Sequence, residues 1–256
     1  KGSLKIAFQL STFSGAGQSA ARQAKAGKSF TGLHGIQLKR QKMKTYRISS
    51  IPVVLTMMCF VLASGVNAKE QVNVLTEQER EAGWILLFDG QSSKGWRGVN
   101  KSAFPERGWQ VEAGSIQCTG DKGGSIITTE TYGNFELVWE WKLVRPGANS
   151  GVKYFVNERP GDTGGYGFGI EYQLLDSPAK NKTSLGSAYD LYATASDPQP
   201  RALGQWNHSR IVSQDGKVEH WLNGAKILAY DRFSDEFKQR VAQSKFKNTR
   251  QFGLHK

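Results

Sequence analysis

Between Gly169 and Asp176 the chain reads Gly-Ile-Glu-Tyr-Gln-Leu-Leu-Asp, carrying ionisable side chains where a merely structural strand would show Thr, Val or Ser. Period-two alternation places Glu171 and Gln173 on one face, and a bulge after Gln173 would add Asp176 to it. Carboxyl groups gathered on one strand face can act as general acid and base. They can equally pair with Arg or Lys at a sheet rim, and both readings stand at this point. Glu140 and Lys153 fall on the polar faces of two strands expected to be neighbours, either as a plain cross-strand ion pair or as a carboxylate beside a cation. His208 and Arg210 share a face of the strand that begins at Trp206, and His220 lies on the next strand. A lone His is usually a hydrogen-bonded structural residue, but near carboxylates it gains weight as a base or ligand.

Other chemistries leave no mark. From residue 69 onward there is no metal-ligand spacing, phosphate-binding loop, dinucleotide fingerprint or Gly-x-Ser-x-Gly elbow. Cys118 is the single cysteine of that part, so it has no intrachain disulfide partner there and reads as a small buried apolar residue. Tryptophans could stack on the apolar face of a sugar, but Trp139 and Trp141 fall on a uniformly apolar strand face and read as core. Asn181-Lys-Thr and Asn207-His-Ser are glycosylation sequons, relevant only to a eukaryotic secretory route.

The elements that must hold these residues are short strands and turns. Phe135, Leu137, Trp139, Trp141 and Leu143 alternate with Asn134, Glu136, Val138, Glu140 and Lys142. Val152, Tyr154 and Val156 alternate with Lys153 and Asn157. A Gly- and Asn-containing turn at 147–151 joins the two runs, which predicts antiparallel neighbours. Asp215-Gly216 and Asn223-Gly224 are two-residue hairpin signals that link 209–213, 217–222 and 226–230 into a meander. Thr76-Glu-Gln-Glu79 is a capping box that opens a short helix ending near Gly83. A second helix spans 234–244, with Phe233, Phe237 and Val241 on one stripe and Asp235, Glu236 and Arg240 placed as the helix dipole prefers. Many short strands with regular turns predict an all-β sandwich or jelly roll in a single domain.

The formal net charge of +12 invites a nucleic-acid reading, and its location removes it. Residues 1–68 hold ten Lys or Arg and no acid, leaving 24 basic residues to face all 22 acidic ones from Glu70 onward. The excess therefore belongs to a leader. Met43 is followed by Lys44, Arg47 and the apolar run 51–62, too short to span a bilayer comfortably. Val66-Asn67-Ala68 then gives a small-x-small cleavage pattern. Residues 43–68 read as a signal peptide, with an uncleaved anchor helix as the alternative. Residues 1–42, basic and without defensible periodicity, read as an upstream or disordered extension, with an organelle transit peptide as the alternative, and residues 1–68 are expected to pack against nothing. Residues 69–256 would form the exported domain, with no membrane span after cleavage.

Two resemblances sharpen this. The spacing Glu-x-Gln-x-x-Asp resembles the Glu-x-Asp-x-x-Glu strand of laminarinase-type jelly-roll glycosidases, where two carboxylates serve as nucleophile and general acid. Here the middle acid is an amide and the last acid is shorter. From Trp84 onward the chain also resembles the 3-keto-disaccharide hydrolase domain family. The matching motifs are Leu87-Phe-Asp-Gly90, Gly95-Trp96, Gly108-Trp-Gln-Val111, Tyr132-Gly-Asn-Phe-Glu-Leu137, Glu140-Trp141, Asn149-Ser-Gly151, Glu171 to Asp176, Tyr189-Asp-Leu191, Trp206-Asn207 and His220-Trp-Leu-Asn-Gly224.

The resemblance implies a concanavalin A-like jelly roll of two antiparallel sheets, exported to the periplasm, cell surface or medium of bacteria that degrade glycans. It also implies that family members continue past Phe252-Gly253 into a further apolar strand. This sequence stops at Lys256, so a last strand is expected to be missing and a sheet edge unpaired.

The implied substrate is an oligosaccharide or glycoside oxidised at carbon 3. The implied chemistry is removal of the carbon 2 proton, β-elimination across carbons 1 and 2, and hydration. It needs a base (Glu171 or His208), an acid for the leaving group (Asp176 or Glu140), and an electrophile for the enolate (Lys153, Arg210 or a divalent metal). Gln173, Asn149 and His220 would contact substrate. Jelly rolls host lectins as readily as enzymes, so a non-catalytic carbohydrate-binding module is the rival, and a structural module of a surface complex a third reading.

Overall fold

The computed structural model describes residues 2–10 by their backbone, and residues 73–120, 122–158, 167–176 and 180–255. The expected signal peptide, 43–68, lies outside the described residues. In chain order the described elements are β1 (Gly2–Leu10), α1 (Glu77–Glu81), β2 (Trp84–Leu86), β3 (Trp96–Gly98), β4 (Trp109–Glu112), β5 (Ser115–Cys118) and β6 (Ile126–Thr128). There follow β7 (Phe135–Leu143), β8 (Asn149–Asn157), β9 (Phe168–Leu175), β10 (Asn207–Gln214), β11 (Lys217–Leu222), β12 (Ala225–Asp231) and α2 (Asp235–Ala242).

Eight strands make one sheet in the order β12-β11-β10-β7-β1-β5-β4, with β2 also pairing β1. The meander β10–β11–β12 is antiparallel, as the hairpin signals require. Asp215 and Asn223 sit at positive φ, each followed by a Gly at +87°, the backbone twist that two-residue hairpins demand. On β7 the predicted apolar phase is buried throughout and the other phase half-exposed. Trp139 and Trp141 are core residues, and truncating either would cost about 3–5 kcal/mol.

Two expectations are overturned here. β7 and β8 are not neighbours: β10 and β1 occupy the two edges of β7, while β8 pairs with β9 in a separate sheet. The turn between them changes layers instead of closing a hairpin. Gly147 adopts φ +70°, its N–H is held by the Asp176 carboxylate at 2.7 Å, and Ala148 is fully buried.

The second correction concerns the N-terminus. Residues 2–10, expected to pack against nothing, form a strand lying parallel to β7 over its whole length and to parts of β2 and β5. Leu4, Ile6, Phe8 and Leu10 alternate with Ser3, Lys5, Ala7 and Gln9, a short period-two signal hidden in a basic, Gly- and Ser-rich stretch. The register matches that phase to Leu137, Trp139, Trp141 and Leu143.

The β8–β9 pair packs on the large sheet as a second layer, giving the all-β sandwich that the alternation implied. Trp139 meets Tyr172 edge-on at 5.0 Å, and Phe135 meets Tyr154 at 6.3 Å. Of the predicted helical stripe, Phe237 is buried, whereas Phe233 is half-exposed and stacks on the Arg232 guanidinium. Ser234 caps α2, and the Thr76–Glu79 capping box is formed in both directions. Among the described residues no helix is long and apolar enough to cross a membrane.

Candidate active site

β9 positions the central carboxylate. Ile170, Tyr172 and Leu174 fill the core, which turns Glu171 and Gln173 to the opposite face. β8 lies antiparallel to it, with Lys153 directly opposite Glu171 and Gly151 opposite Gln173. On its other side β9 is flanked by residues 186–189. Gly186 N–H donates to Gln173 O at 2.9 Å, Gln173 N–H to Ser187 O at 3.2 Å, and Tyr189 N–H to Glu171 O at 2.9 Å. The strand bearing the carboxylate is thus fixed from both edges.

Glu171 is largely withdrawn from water. Burial pushes its pKa above the ordinary Glu value, against the opposing fields of Lys153 and then Lys245. Gln173 is buried and donates through Nε2 to Asn149 Oδ1 at 2.9 Å. Lys153 Nζ donates to Gly167 O at 3.4 Å.

Lys245 enters from the segment after α2. Its N–H donates to Asp190 Oδ2 at 2.8 Å, and its ammonium lies 4.1 Å from the centre of the Tyr189 ring. Asp190, at φ +60°, also pairs with Lys182 at 2.7 Å. A partly buried carboxyl group in the field of two cations, one of them over an aromatic ring, suits proton transfer to or from a bound polar molecule.

Of the residues expected at the site, Glu171, Lys153, Gln173 and Asn149 come together. The other five do not. β9 runs regularly against β8 through Leu175 with no bulge after Gln173, and Asp176 lies just past its end. Its carboxylate is turned to the β7–β8 turn, where it accepts from Gly147 N–H at 2.7 Å. No pair of carboxylates suited to double displacement is formed by Glu171 and Asp176.

Glu140 and His208 are cross-strand partners on the outward face of the large sheet, remote from β9 in the topology. Arg210 is on the same outward face, bound to Glu136 at 2.7 Å and lying over Trp221. Alternation put these three on polar strand faces, and it cannot say which layer a strand joins. His220 is completely buried, its Nδ1 on Gly186 O at 2.8 Å and its Nε2 on the Tyr154 hydroxyl at 2.7 Å. It contacts no open surface.

Three participants were missed. Gly151 and Tyr189 stood in recognised motifs without a role, and Lys245 follows a helix with no pattern around it. Among the described residues no three His, Cys, Asp or Glu side chains converge as a metal site requires.

A family model described as the 3-keto-alpha-glucoside-1,2-lyase-like domain matches residues 83–255. A 3-keto-disaccharide hydrolase of Bacteroides thetaiotaomicron is 32% identical over 189 residues, which is 64% of this chain and 64% of that protein. The chain thus spans a little under two-thirds of that relative's length. A crystal structure of a "putative glycosyl hydrolase" from Parabacteroides distasonis superposes with a TM-score of 0.62 at 36% identity, covering 71% of this chain and 87% of that one. With the family match extending over most of the described domain and a similar structure sharing its fold, the chain belongs to the 3-keto-alpha-glucoside-1,2-lyase-like domain family.

Proposed function

We propose that the chain is an exported carbohydrate-active enzyme that cleaves glycosides oxidised at carbon 3, with Glu171 as the general base. The observation that carries this reading is the Glu171 carboxyl group, partly buried over Gly151 on β9, opposite Lys153, where burial raises its pKa. A carboxylate kept from water is a stronger base than a solvated one, and carbon 2 beside a ketone carries a proton acidic enough for it.

The step balances as follows. Glu171 takes the proton from carbon 2, and the electron pair of that bond forms the enolate with carbon 3. The enolate then collapses to a carbon 1–carbon 2 double bond as the carbon 1–oxygen bond breaks. The departing oxygen needs a proton, and the newly protonated Glu171 holds one. Adding hydroxide from water at carbon 1 and a proton at carbon 2 completes a net hydrolysis.

Lys153 and Lys245 supply positive charge where the enolate oxygen develops its negative charge. Gln173 and Asn149 offer amide groups for sugar hydroxyls. The relative's printed name, 3-keto-disaccharide hydrolase, supports the substrate class. Export rests on the charged start, apolar run and small-x-small pattern of residues 43–68.

The test is a side-by-side assay of a 3-keto glucoside and the matching unoxidised glucoside. Cleavage of the first alone is the expected result. Equal cleavage of both would refute elimination, and binding of either without turnover would favour a lectin.

A further inference from the structure

Both flanks of β9 are fastened from beneath by one side chain. His220 stands on β11, in the opposite layer, with both ring nitrogens engaged in the core. Its Nδ1 lies 2.8 Å from Gly186 O, and a carbonyl only accepts, so Nδ1 carries the proton. Nε2 must then accept from the Tyr154 hydroxyl at 2.7 Å. Tyr154 has no other hydroxyl proton, so Tyr230 donates to it across 2.6 Å. The chain of donors has one direction: Tyr230 to Tyr154 to His220 to Gly186.

Two members of this chain, Tyr154 and Gly186, border the site. Tyr154 follows Lys153 on β8, which borders β9 on one side. Gly186 begins the segment that borders β9 on the other, giving its own N–H to Gln173 O while Tyr189 gives its N–H to Glu171 O. We propose that His220 is a positioning residue for the Glu171 site: held in one tautomer, its imidazole ties β8 to residues 186–189 across β9 and so fixes where the carboxylate stands.

The inference rests on the reading of Glu171 as the base. The groups packed around the imidazole are Tyr154 from β8, Tyr172 from β9 with its ring 4.7 Å away, Tyr230 from β12 and the Gly186 carbonyl. The charge of Arg232 reaches Tyr154 and Tyr230. Burial lowers the His220 pKa to about 4, so the ring remains neutral and the donor chain intact through the neutral range.

The experiment compares the full chain with His220→Phe, His220→Asn and Tyr154→Phe. The readouts are kcat and KM on a 3-keto glucoside and amide hydrogen exchange at Gly186 and Tyr189. His220→Phe should lower kcat at least about tenfold with KM little changed, since a base misplaced by a fraction of an ångström loses rate before it loses binding. Exchange at both amides should quicken. Asn, whose amide can still donate to Gly186, should restore part of both.

Tyr154→Phe deletes one oxygen and decides the matter if His220→Phe does not fold. Wild-type kcat and exchange in His220→Phe, or in Tyr154→Phe where the former is unfolded, would overturn the inference while leaving an inactive Glu171→Gln to support the base. Activity retained by Glu171→Gln would instead remove the base, and the exchange data would still show whether the tie exists.

Discussion

The Glu171 carboxylate lies over Gly151, in the space that a β-carbon at that position would occupy. The strand pairing alone would place the two residues diagonally. The bare glycine lets the carboxylate settle across β8 instead of projecting into solvent.

Gly151→Ala should therefore push the carboxylate aside while leaving the strands paired. Displacement of a reacting group by about 1 Å can lower rate on the order of 10²-fold. Steady-state kinetics on a 3-keto glucoside, with circular dichroism as the folding control, checks this. Unchanged kcat in a folded variant would mean that the carboxylate position does not matter.

Glu171→Gln should abolish turnover and also change stability in a defined direction. A carboxyl group whose pKa is higher in the folded state than in the unfolded one contributes stability below its unfolded value. That contribution is lost as pH rises through the folded value. At neutral pH the wild type thus holds a partly buried charge that the amide avoids, and Glu171→Gln should melt at the same or a higher temperature. The advantage should vanish at pH values below the ordinary Glu range. Melting curves across pH test it, and a variant less stable at neutral pH than at acid pH, relative to wild type, would contradict the desolvation argument. By the same logic kcat should fall on the acid side with an apparent pKa above the ordinary Glu value.

Substitution on the outward face of the large sheet should leave catalysis alone. Glu140→Gln, His208→Ala and Arg210→Ala touch groups separated from β9 by the whole core. Removing the Arg210–Glu136 pair should cost at most about 1 kcal/mol, the range of exposed ion pairs. A large fall in kcat for any of the three would move the active site to the other face.

Much of this was legible in the residues. The β7 alternation gave its buried face, and Asp215-Gly216 and Asn223-Gly224 gave the meander, because both signals are local. The shared strand face of Glu171 and Gln173 was legible for the same reason, as a polar phase inside an apolar strand. What failed was long-range. Nothing in 134–157 says that Gly147 carries the chain into another layer, so Glu140 and Lys153 looked like neighbours. His220 looked like a ligand because its partners, Gly186 and Tyr154, are 34 and 66 residues away. The β1 strand was passed over because nine alternating residues are a weak signal beside a strongly basic composition. Asp176 was expected on the Glu171 face through a bulge, but β9 is regular and ends at Leu175, before it.

Proton removal by Glu171 can be followed with a 3-keto glucoside carrying deuterium at carbon 2. If Glu171 removes that hydron, cleavage by the full chain should be slowed relative to the protium substrate, or the label should exchange into solvent, and Glu171→Gln should show neither cleavage nor exchange. Cleavage at the same rate with the deuterium fully retained at carbon 2 would contradict elimination through that carbon.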